Sequence, residues 1–386
     1  MVLLPTSDST EHGVGRPSGS KARIGWMDTL RGMAIVLVIF DHALYHATLS
    51  SDSVPDWIAI LSLIFNPLRM PLMVFLSGML LGPSLRKGAL DYLSGKTRNI
   101  LYPYLLWSTV YVSLWVIAAP FSGTPHSWSE LLMIPYAPQG HMWFLHNLFL
   151  FYLIVLAFQR VSRLVVAAVA LAASGLVDFW YLDRFFFLLA FFALGDYAVQ
   201  REDLISRLLA DRRVVAVMTA LTIGMPATVL LLETDLRYRI PSVPLAVGGI
   251  GVMILLAGRI GDKPSAALFR HIGRNSLPAY ILHWIILAIA VVVLRMAVPE
   301  DQGMVLFALL TAIGFAGTLV AIEVINRLGL HWLFSWPKRT RKNPRNAERR
   351  DGSAHLMRGV HLGFLLRGAG TAALNHAVNQ HVDVES

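Results

Sequence analysis

The sequence predicts an all-α fold: a polytopic integral membrane protein with about ten transmembrane helices and both termini in the cytoplasm. Three observations predict it. Of the 386 residues, 55% are apolar and 15% are charged, and the mean hydropathy is +0.58. Apolar runs of membrane length recur along the chain, and positive charges collect in alternate loops between them. This composition excludes an ordinary soluble globular protein.

The apolar runs place the transmembrane helices to within several residues at each end. We predict them at 33–49, 58–81, 101–118, 142–159, 164–178, 184–199, 214–232, 243–260, 276–296 and 303–328. The fifth run is short, which is compatible with either a tilted or a partial span.

The charges of the loops give the orientation of the helices. Lys and Arg follow the second, fourth, sixth, eighth and tenth runs, whereas the loops after the first and third runs contain neither. By the positive-inside rule, the basic loops are cytoplasmic. Arg237 and Arg239 are the exception, in a loop predicted to be outside, where Glu233 and Asp235 can neutralise them.

Three regions follow from this pattern. Residues 1–22 are rich in Ser, Gly and Thr and predict a disordered cytoplasmic tail, residues 23–336 form the membrane domain, and residues 337–386 form a basic, disordered cytoplasmic tail that can lie on membrane lipids. The net charge of +9 is explained by the short loops and this tail, so we expect no nucleic-acid partner. There is no cysteine, which excludes disulfides and a thiol acyl carrier.

The segment 23–46 combines a membrane-length apolar run with a stripe of ionisable side chains. Arg31 and His42 are eleven residues apart, so a helix projects both from one face, about 16 Å apart along its axis. His46 continues the stripe, whereas Asp41 points about 100° away from His42. Lipid cannot satisfy such a stripe, which indicates a functional face. His42 can take a proton from a hydroxyl near neutral pH, or it can be a packing histidine bonded to a carbonyl.

Arg69 lies halfway along the second apolar run, between Pro67 and Pro71. An arginine at this depth is costly unless it faces a cavity or a carboxylate. The two prolines predict a broken helix, whose free backbone groups commonly line a cavity. Ser77 and Gly78 permit close approach of another helix or of a ligand.

Two other segments place polar groups inside apolar runs. In HMWFLHN, His141 and Trp143 are predicted at the membrane interface and His146 lies deeper. In NSLPAYILHW, Ser276, Tyr280 and His283 share one helical face, which is either a hydrogen-bonded seam between helices or part of a site.

Familiar catalytic devices are missing from the sequence. It contains no GxSxG, HExxH, Walker or dinucleotide-binding glycine motif, and the histidines of the C-terminal tail are too far apart to bind one metal ion. We therefore expect no metal and no tightly bound cofactor.

Five segments, in order, resemble the integral-membrane acyltransferase-3 family of sugar O-acyltransferases: DTLRGMAIVLVIFDH, MPLMVFLSGML, RNILYPYLLW, MWFLHNLFLFYL and SLPAYILH. The fucose 4-O-acetylase-like branch is the most similar. The resemblance covers residues 28–283 and implies a ten-helix core in the bacterial inner membrane. It also implies acyl-CoA, usually acetyl-CoA, as the cytoplasmic co-substrate and a hydroxyl of a cell-envelope glycan or lipid-linked sugar as the acceptor.

The resemblance also implies roles for individual residues. His42 matches the catalytic histidine, Arg31 matches the arginine that begins the motif, and His283 matches a later histidine. The family's R-x-x-R pair is replaced here by KTRNILYP, so Lys96 and Arg98 are expected to bind the phosphates of CoA together with Arg31.

The remaining candidates complete a hypothetical site. His42 acts as general base, and Arg69 either stabilises the developing oxyanion or pairs with Asp41. His146, Trp143 and Tyr280 are candidate substrate contacts. The alternative is a proton-coupled transporter or flippase of a polar or lipid-linked substrate, in which Asp41, His42 and Arg69 form the proton site. The ordered motifs and the lack of an internal repeat favour the enzyme.

Overall fold

A computed structural model describes residues 25–122, 125–177, 179, 181–232 and 236–337. The predicted tail 1–22 and all of the predicted tail 337–386 except Pro337 lie outside the described residues. By internal contacts, the described residues up to Trp336 belong to one unit, and Pro337 begins a second.

The described chain is helical and contains no strand, as the composition predicts. A five-residue π-helix, Thr97–Leu101, separates α4 from α5. The α-helices are α1 (Gly25–Thr48), α2 (Asp56–Met79), α3 (Gly82–Leu85), α4 (Ala89–Lys96), α5 (Tyr102–Ser122), α6 (Trp143–Ala157), α7 (Arg163–Leu176), α8 (Leu182–Gln200), α9 (Glu202–Ala210), α10 (Arg212–Leu232), α11 (Val243–Ile260), α12 (Ala267–Arg274), α13 (Ser276–Leu294) and α14 (Gly303–Leu328).

Six described helical segments are long and apolar enough to cross a membrane, which supports a multi-pass membrane protein. They are Asp56–Met79, Ala89–Pro120, Gly140–Ala157, Ile240–Ile260, Ser276–Leu294 and Gly303–Leu328. The count of ten and the positions of the termini stay predictions. The fifth predicted span corresponds to α7, whose 14 residues extend only about 21 Å, less than the hydrocarbon core of a bilayer.

Helix α1 is the centre of the fold and packs against α2, α11, α12, α13 and α14. Two glycines allow its closest approach, because Gly32 lies against the backbone of Phe269 and Gly273 lies against the backbone of Asp28. Asp28 also pairs with Arg274 at 3.3 Å. These contacts fix the beginning of α1 on α12, and they thereby fix the rotation of the helix and the side to which its polar stripe faces.

Helix α2 is continuous through Pro67 and Pro71, so the predicted break is wrong. Each proline removes one backbone donor, yet packing of the helix against α1, α8 and α11 holds it in one piece. Gly78 explains the tight contact with α8, because a side chain there would overlap the backbone of Phe192. The close approach predicted at this glycine is therefore between two helices.

A buried ion pair ties α7 to α8. Arg163 donates from Nε to Asp196 at 2.7 Å, and Gln200 donates to the same carboxylate oxygen at 2.9 Å. The side chains of Arg163 and Asp196 are 4% and 1% exposed. A buried charge is tolerated only when it is paired, so this contact sets how the short helix α7 docks.

Candidate active site

Two histidines from α1 and α13 form the centre of the candidate site. His42 Nδ1 lies 2.7 Å from His283 Nε2, and His283 Nδ1 lies 3.0 Å from the carbonyl of Ala279. His283 is fully buried, whereas His42 is partly exposed. His46, on the same stripe, packs against Trp284 with ring centroids 5.0 Å apart.

The hydrogen bonds fix the tautomers of the two neutral rings. The carbonyl of Ala279 can only accept, so His283 carries its proton on Nδ1 and accepts at Nε2. His42 must then donate from Nδ1, which leaves the lone pair on its Nε2 free. The arrangement gives His42 an available basic nitrogen and uses His283 to orient it.

A third histidine, His141, completes an aromatic cluster. Its ring stacks on Trp284 at 5.1 Å and lies edge-on to His42 at 6.3 Å. The sequence predicts His141 at the membrane interface, and the structure buries it within the protein, with only 4% of it exposed. A short 3-10 turn, Gly140–Met142, brings it into the protein. The hydroxyl of Tyr280 donates a hydrogen bond to the backbone carbonyl of His141.

Asp41 and Arg69 form a polar network beside the histidines, in which Arg69 is buried and Asp41 is partly exposed. Arg69 pairs with Asp41, the hydroxyl of Ser62 donates to the same carboxylate, and Arg69 also donates to Asn66. The Arg69 side chain is 7% exposed. Of the two predicted roles for Arg69, pairing with Asp41 is the one seen. Arg69 is also close enough to interact electrostatically with His42.

A cavity of about 220 Å³ lies beside Arg31 of α1, and none of the described histidines lines it. Its polar lining consists of Arg31, Ser77, Asn99, Ser276 and Tyr280. Tyr280 is one helical turn before His283, and their ring centroids are 5.9 Å apart. The face predicted on α13 therefore does two things. Ser276 and Tyr280 line the cavity together with Arg31 of α1. His283 forms a hydrogen bond to His42, which also belongs to α1.

Lys96 and Arg98 lie at the π-helix that borders this cavity. The ammonium of Lys96 sits 3.6 Å from the ring centroid of Tyr152 and 5.4 Å from that of Tyr92. Arg98 lies within 3.4 Å of the side-chain oxygen of Asn99, to which its Nε donates. A π-helical turn is often found at functional sites, and here it carries Asn99 into the cavity wall.

The structure does not bring His146 to the histidine cluster. Its Nε2 lies 3.1 Å from the carbonyl of Pro135, and its Nδ1 lies 3.4 Å from Asn147. The ring packs against Tyr104 at 5.5 Å. The substrate contact predicted for His146 therefore has no geometric support, whereas His141 lies beside the His42–His283 pair.

Two residues that the sequence analysis missed lie next to the site, Arg184 of α8 and Tyr238 of the loop before α11. The guanidinium of Arg184 stacks 4.0 Å from the ring centroid of Trp143 and 4.7 Å from that of Tyr181. Burial raises the pKa of the Tyr238 hydroxyl, and the charges of Arg184 and Arg69 act in the opposite direction. The only signal in the sequence that could have identified Arg184 is its position within an aromatic-rich run.

A larger apolar groove of about 1080 Å³ lies elsewhere, between α1, α2, α8, α9, α10 and α11. It includes Trp26, Arg212 and Arg259 but none of the three clustered histidines. Among the described residues, no group of three His, Asp or Glu side chains is arranged to hold a metal ion.

Comparison with known proteins gives one finding. A family model described as an acyltransferase domain matches residues 24–326. This range contains both histidines of the central pair, the Asp41–Arg69 network and the cavity. No curated protein and no solved structure matches the chain.

Proposed function

The chain belongs to the acyltransferase-3 family, and from that premise we propose that it moves an acyl group, most simply acetyl, from acyl-CoA to a hydroxyl of a cell-envelope glycan or lipid-linked sugar. The family match confirms the resemblance found in the sequence and makes the protein a membrane acyltransferase. The donor, the acceptor, the fucose 4-O-acetylase-like branch and the bacterial inner membrane are parts of the proposal.

The observation that carries the mechanism is the hydrogen bond between His42 and His283. It supports His42 as general base, because the bond leaves Nε2 of His42 free to accept a proton. As the acceptor hydroxyl oxygen attacks the thioester carbonyl, its proton passes to Nε2. When the carbon–sulfur bond breaks, the same nitrogen returns that proton to the sulfur of CoA. His283 stays neutral and orients the base, in the way a third group orients the base of a catalytic triad.

The cavity beside Arg31 supports an approach for the donor from the predicted cytoplasmic side. Arg31 offers a charged contact to the phosphates of CoA, and Ser77, Asn99 and Ser276 offer polar contacts to the extended arm that carries the thioester. Tyr280 lines the cavity, and its ring centroid lies 5.9 Å from that of His283 in the histidine pair. Lys96 and Arg98 border this entrance and are proposed to attract the phosphates by charge.

Arg69 is proposed to stabilise negative charge in the site electrostatically rather than to bind the donor. Its pairing with Asp41 and Asn66 occupies much of its hydrogen-bonding capacity, so its effect on a developing oxyanion is electrostatic. The same pairing disfavours the transporter alternative, because a proton-coupled site needs a carboxylate that can be protonated and released. Asp41 is instead held by Arg69 and Ser62.

The experiment is release of CoA from acetyl-CoA by purified protein in the presence of envelope glycan extracted from cells that lack the protein. Mass spectrometry of the glycan then detects the added acyl mass. We expect His42→Ala to lower the rate by about 10²–10⁴-fold, the usual contribution of a general base. His146→Ala is the matched control and is expected to keep most of the activity. A folded His42→Ala protein with full activity would contradict the assignment.

A further inference from the structure

The guanidinium of Arg184 lies in a frame of aromatic rings that we name the aromatic cage: Trp143, Tyr181 and Tyr238 around Arg184. The ring centroids lie 4.0, 4.7 and 6.0 Å from the guanidinium carbon. Aromatic faces hold the flat sides of a guanidinium by cation–π attraction. The rings cover its faces, whereas its N–H groups point outward from its edge.

The donors of Arg184 are unusual because nothing in the described part of the chain accepts from them. Its Nε is buried and has no hydrogen-bond partner there, and none of the acidic side chains there forms an ion pair with it. A guanidinium has five N–H donors in a fixed planar fork. Packing on aromatic rings explains the position of Arg184 but not its buried Nε, which has no partner among the described residues. The planar fork of N–H groups to which Nε belongs fits a planar oxyanion.

The backbone gives a second, independent observation. Tyr181 and Tyr238 are the two non-glycine residues in the described chain with positive φ, at 65° and 57°. Bulky residues rarely adopt this left-handed conformation, and such positions concentrate at ligand sites. Both of them belong to the aromatic cage. Two separate segments are therefore held in an unfavourable conformation to place rings around one arginine.

The aromatic cage adjoins the proposed active site. Arg184 interacts electrostatically with Tyr280, whose hydroxyl bonds the backbone of His141. Tyr238 interacts electrostatically with both Arg69 and Asp41. The cage lies at the beginnings of α6 and α8, which the predicted topology puts at the outer surface, away from the Arg31 entrance. Donor and cage ligand would therefore approach the histidines from different sides.

We propose that the aromatic cage binds an oxyanion, a carboxylate or a phosphate, carried by the acceptor, and that the enzyme therefore prefers acidic glycans or sugar phosphates over neutral ones. This inference rests on the proposed acyl transfer. The edge of Arg184 binds the anion through paired N–H groups, and the exposed ring of Tyr181 offers a face on which a sugar can stack.

The test compares three acceptors of equal length: a neutral oligosaccharide, its uronic-acid counterpart and its phosphorylated counterpart. For each we measure KM and kcat with acetyl-CoA for the wild type, Arg184→Gln and Arg184→Lys. Arg201→Gln, at the other end of α8 and exposed, is the matched control. We expect the wild type to prefer one of the two anionic acceptors, which identifies the anion as carboxylate or phosphate.

In Arg184→Gln, we expect the preference for the anionic acceptor to fall by about ten- to a hundredfold through KM, as for loss of a charged hydrogen-bonded pair. Arg184→Lys keeps the charge but not the fork and should recover only part of the preference. Arg201→Gln should resemble the wild type. Equal loss of kcat with all three acceptors would assign Arg184 a structural role and overturn the proposal, as would an unchanged preference.

Direct binding of the three oligosaccharides, by calorimetry in nanodiscs of phosphatidylcholine, separates this proposal from the proposed function. If the wild type transfers no acyl group but Arg184→Gln loses binding of an anionic oligosaccharide, anion binding by the cage is supported and the proposed acyl transfer is contradicted. If binding is the same in Arg184→Gln, the cage proposal fails. If Arg184→Gln loses only the phosphatidylglycerol that the wild type retains, and binds the oligosaccharides as before, the cage binds lipid. That result would also overturn the proposal.

Discussion

Replacing His283 separates a residue that orients the base from the base itself. His283→Phe keeps a buried ring but removes the acceptor for His42 Nδ1, which lies 2.7 Å away in the native site. A buried donor left without a partner costs roughly 1–3 kcal/mol, and each 1.36 kcal/mol is a factor of ten in rate. We therefore expect kcat/KM to fall by roughly 5- to 150-fold, less than for His42→Ala. His283→Gln can place its side-chain oxygen near the lost nitrogen and should recover part of the rate.

The assay is CoA release at saturating glycan, together with the thermal unfolding midpoint of each variant in detergent to establish that it is folded. His146→Phe is the control, a histidine-to-ring change outside the cluster. Two results would refute the reasoning. Activity in His283→Phe as low as in His42→Ala would mean that His283 transfers protons itself. Wild-type activity in folded His283→Phe would mean that the hydrogen bond does not orient His42.

Three other predictions address the donor, the ion pair and the helix contact. Arg31→Gln should raise KM for acyl-CoA by about ten- to a hundredfold, as for loss of a charge-assisted hydrogen bond, and an unchanged KM would remove Arg31 from the donor site. Arg69→Leu removes the charged partner of Asp41, whose side chain is 25% exposed, and should lower the unfolding midpoint. Arg69→Leu with Asp41→Asn should recover much of that loss; no recovery would argue against the pair. Gly78→Ala should lower the unfolding midpoint because its Cβ would meet the α8 backbone, while Gly95→Ala, which meets nothing, should keep or raise it; equal midpoints would contradict the contact.

The sequence was most informative where a single helix carries the information. The eleven-residue spacing of Arg31 and His42 fixes their shared face in any α-helix, and α1 is one continuous helix. Likewise Tyr280 and His283 lie on one face of α13 because their spacing is local. For this reason the expectation that both faces belong to one site agrees with the contact between His42 and His283.

Sequence reasoning failed where position depends on packing between distant segments. Periodicity could not show that the 3-10 turn before α6 buries His141, since the turn is set by its neighbours rather than by its own residues. Pro67 and Pro71 predicted a break, but α2 is continuous and packs against α1, α8, α10 and α11. Arg184 and Tyr238 are more than fifty residues apart, so no local pattern joins them. Their common site appears only when α8 and the loop before α11 meet.

The ion pair between Asp41 and Arg69 also bears on how the protein enters the membrane during synthesis. It joins consecutive helices, α1 and α2, across a short connection. The sequence predicts both helices as membrane spans. Inserted singly, each predicted span would take one of these charges into hydrocarbon, at roughly 2.5–3.5 kcal/mol per residue on translocon-based scales. Inserted as a hairpin, the two charges neutralise each other before either faces lipid. The first two helices are therefore expected to leave the translocon as one unit, which makes biogenesis of this protein depend on the same carboxylate that lies beside its histidine pair.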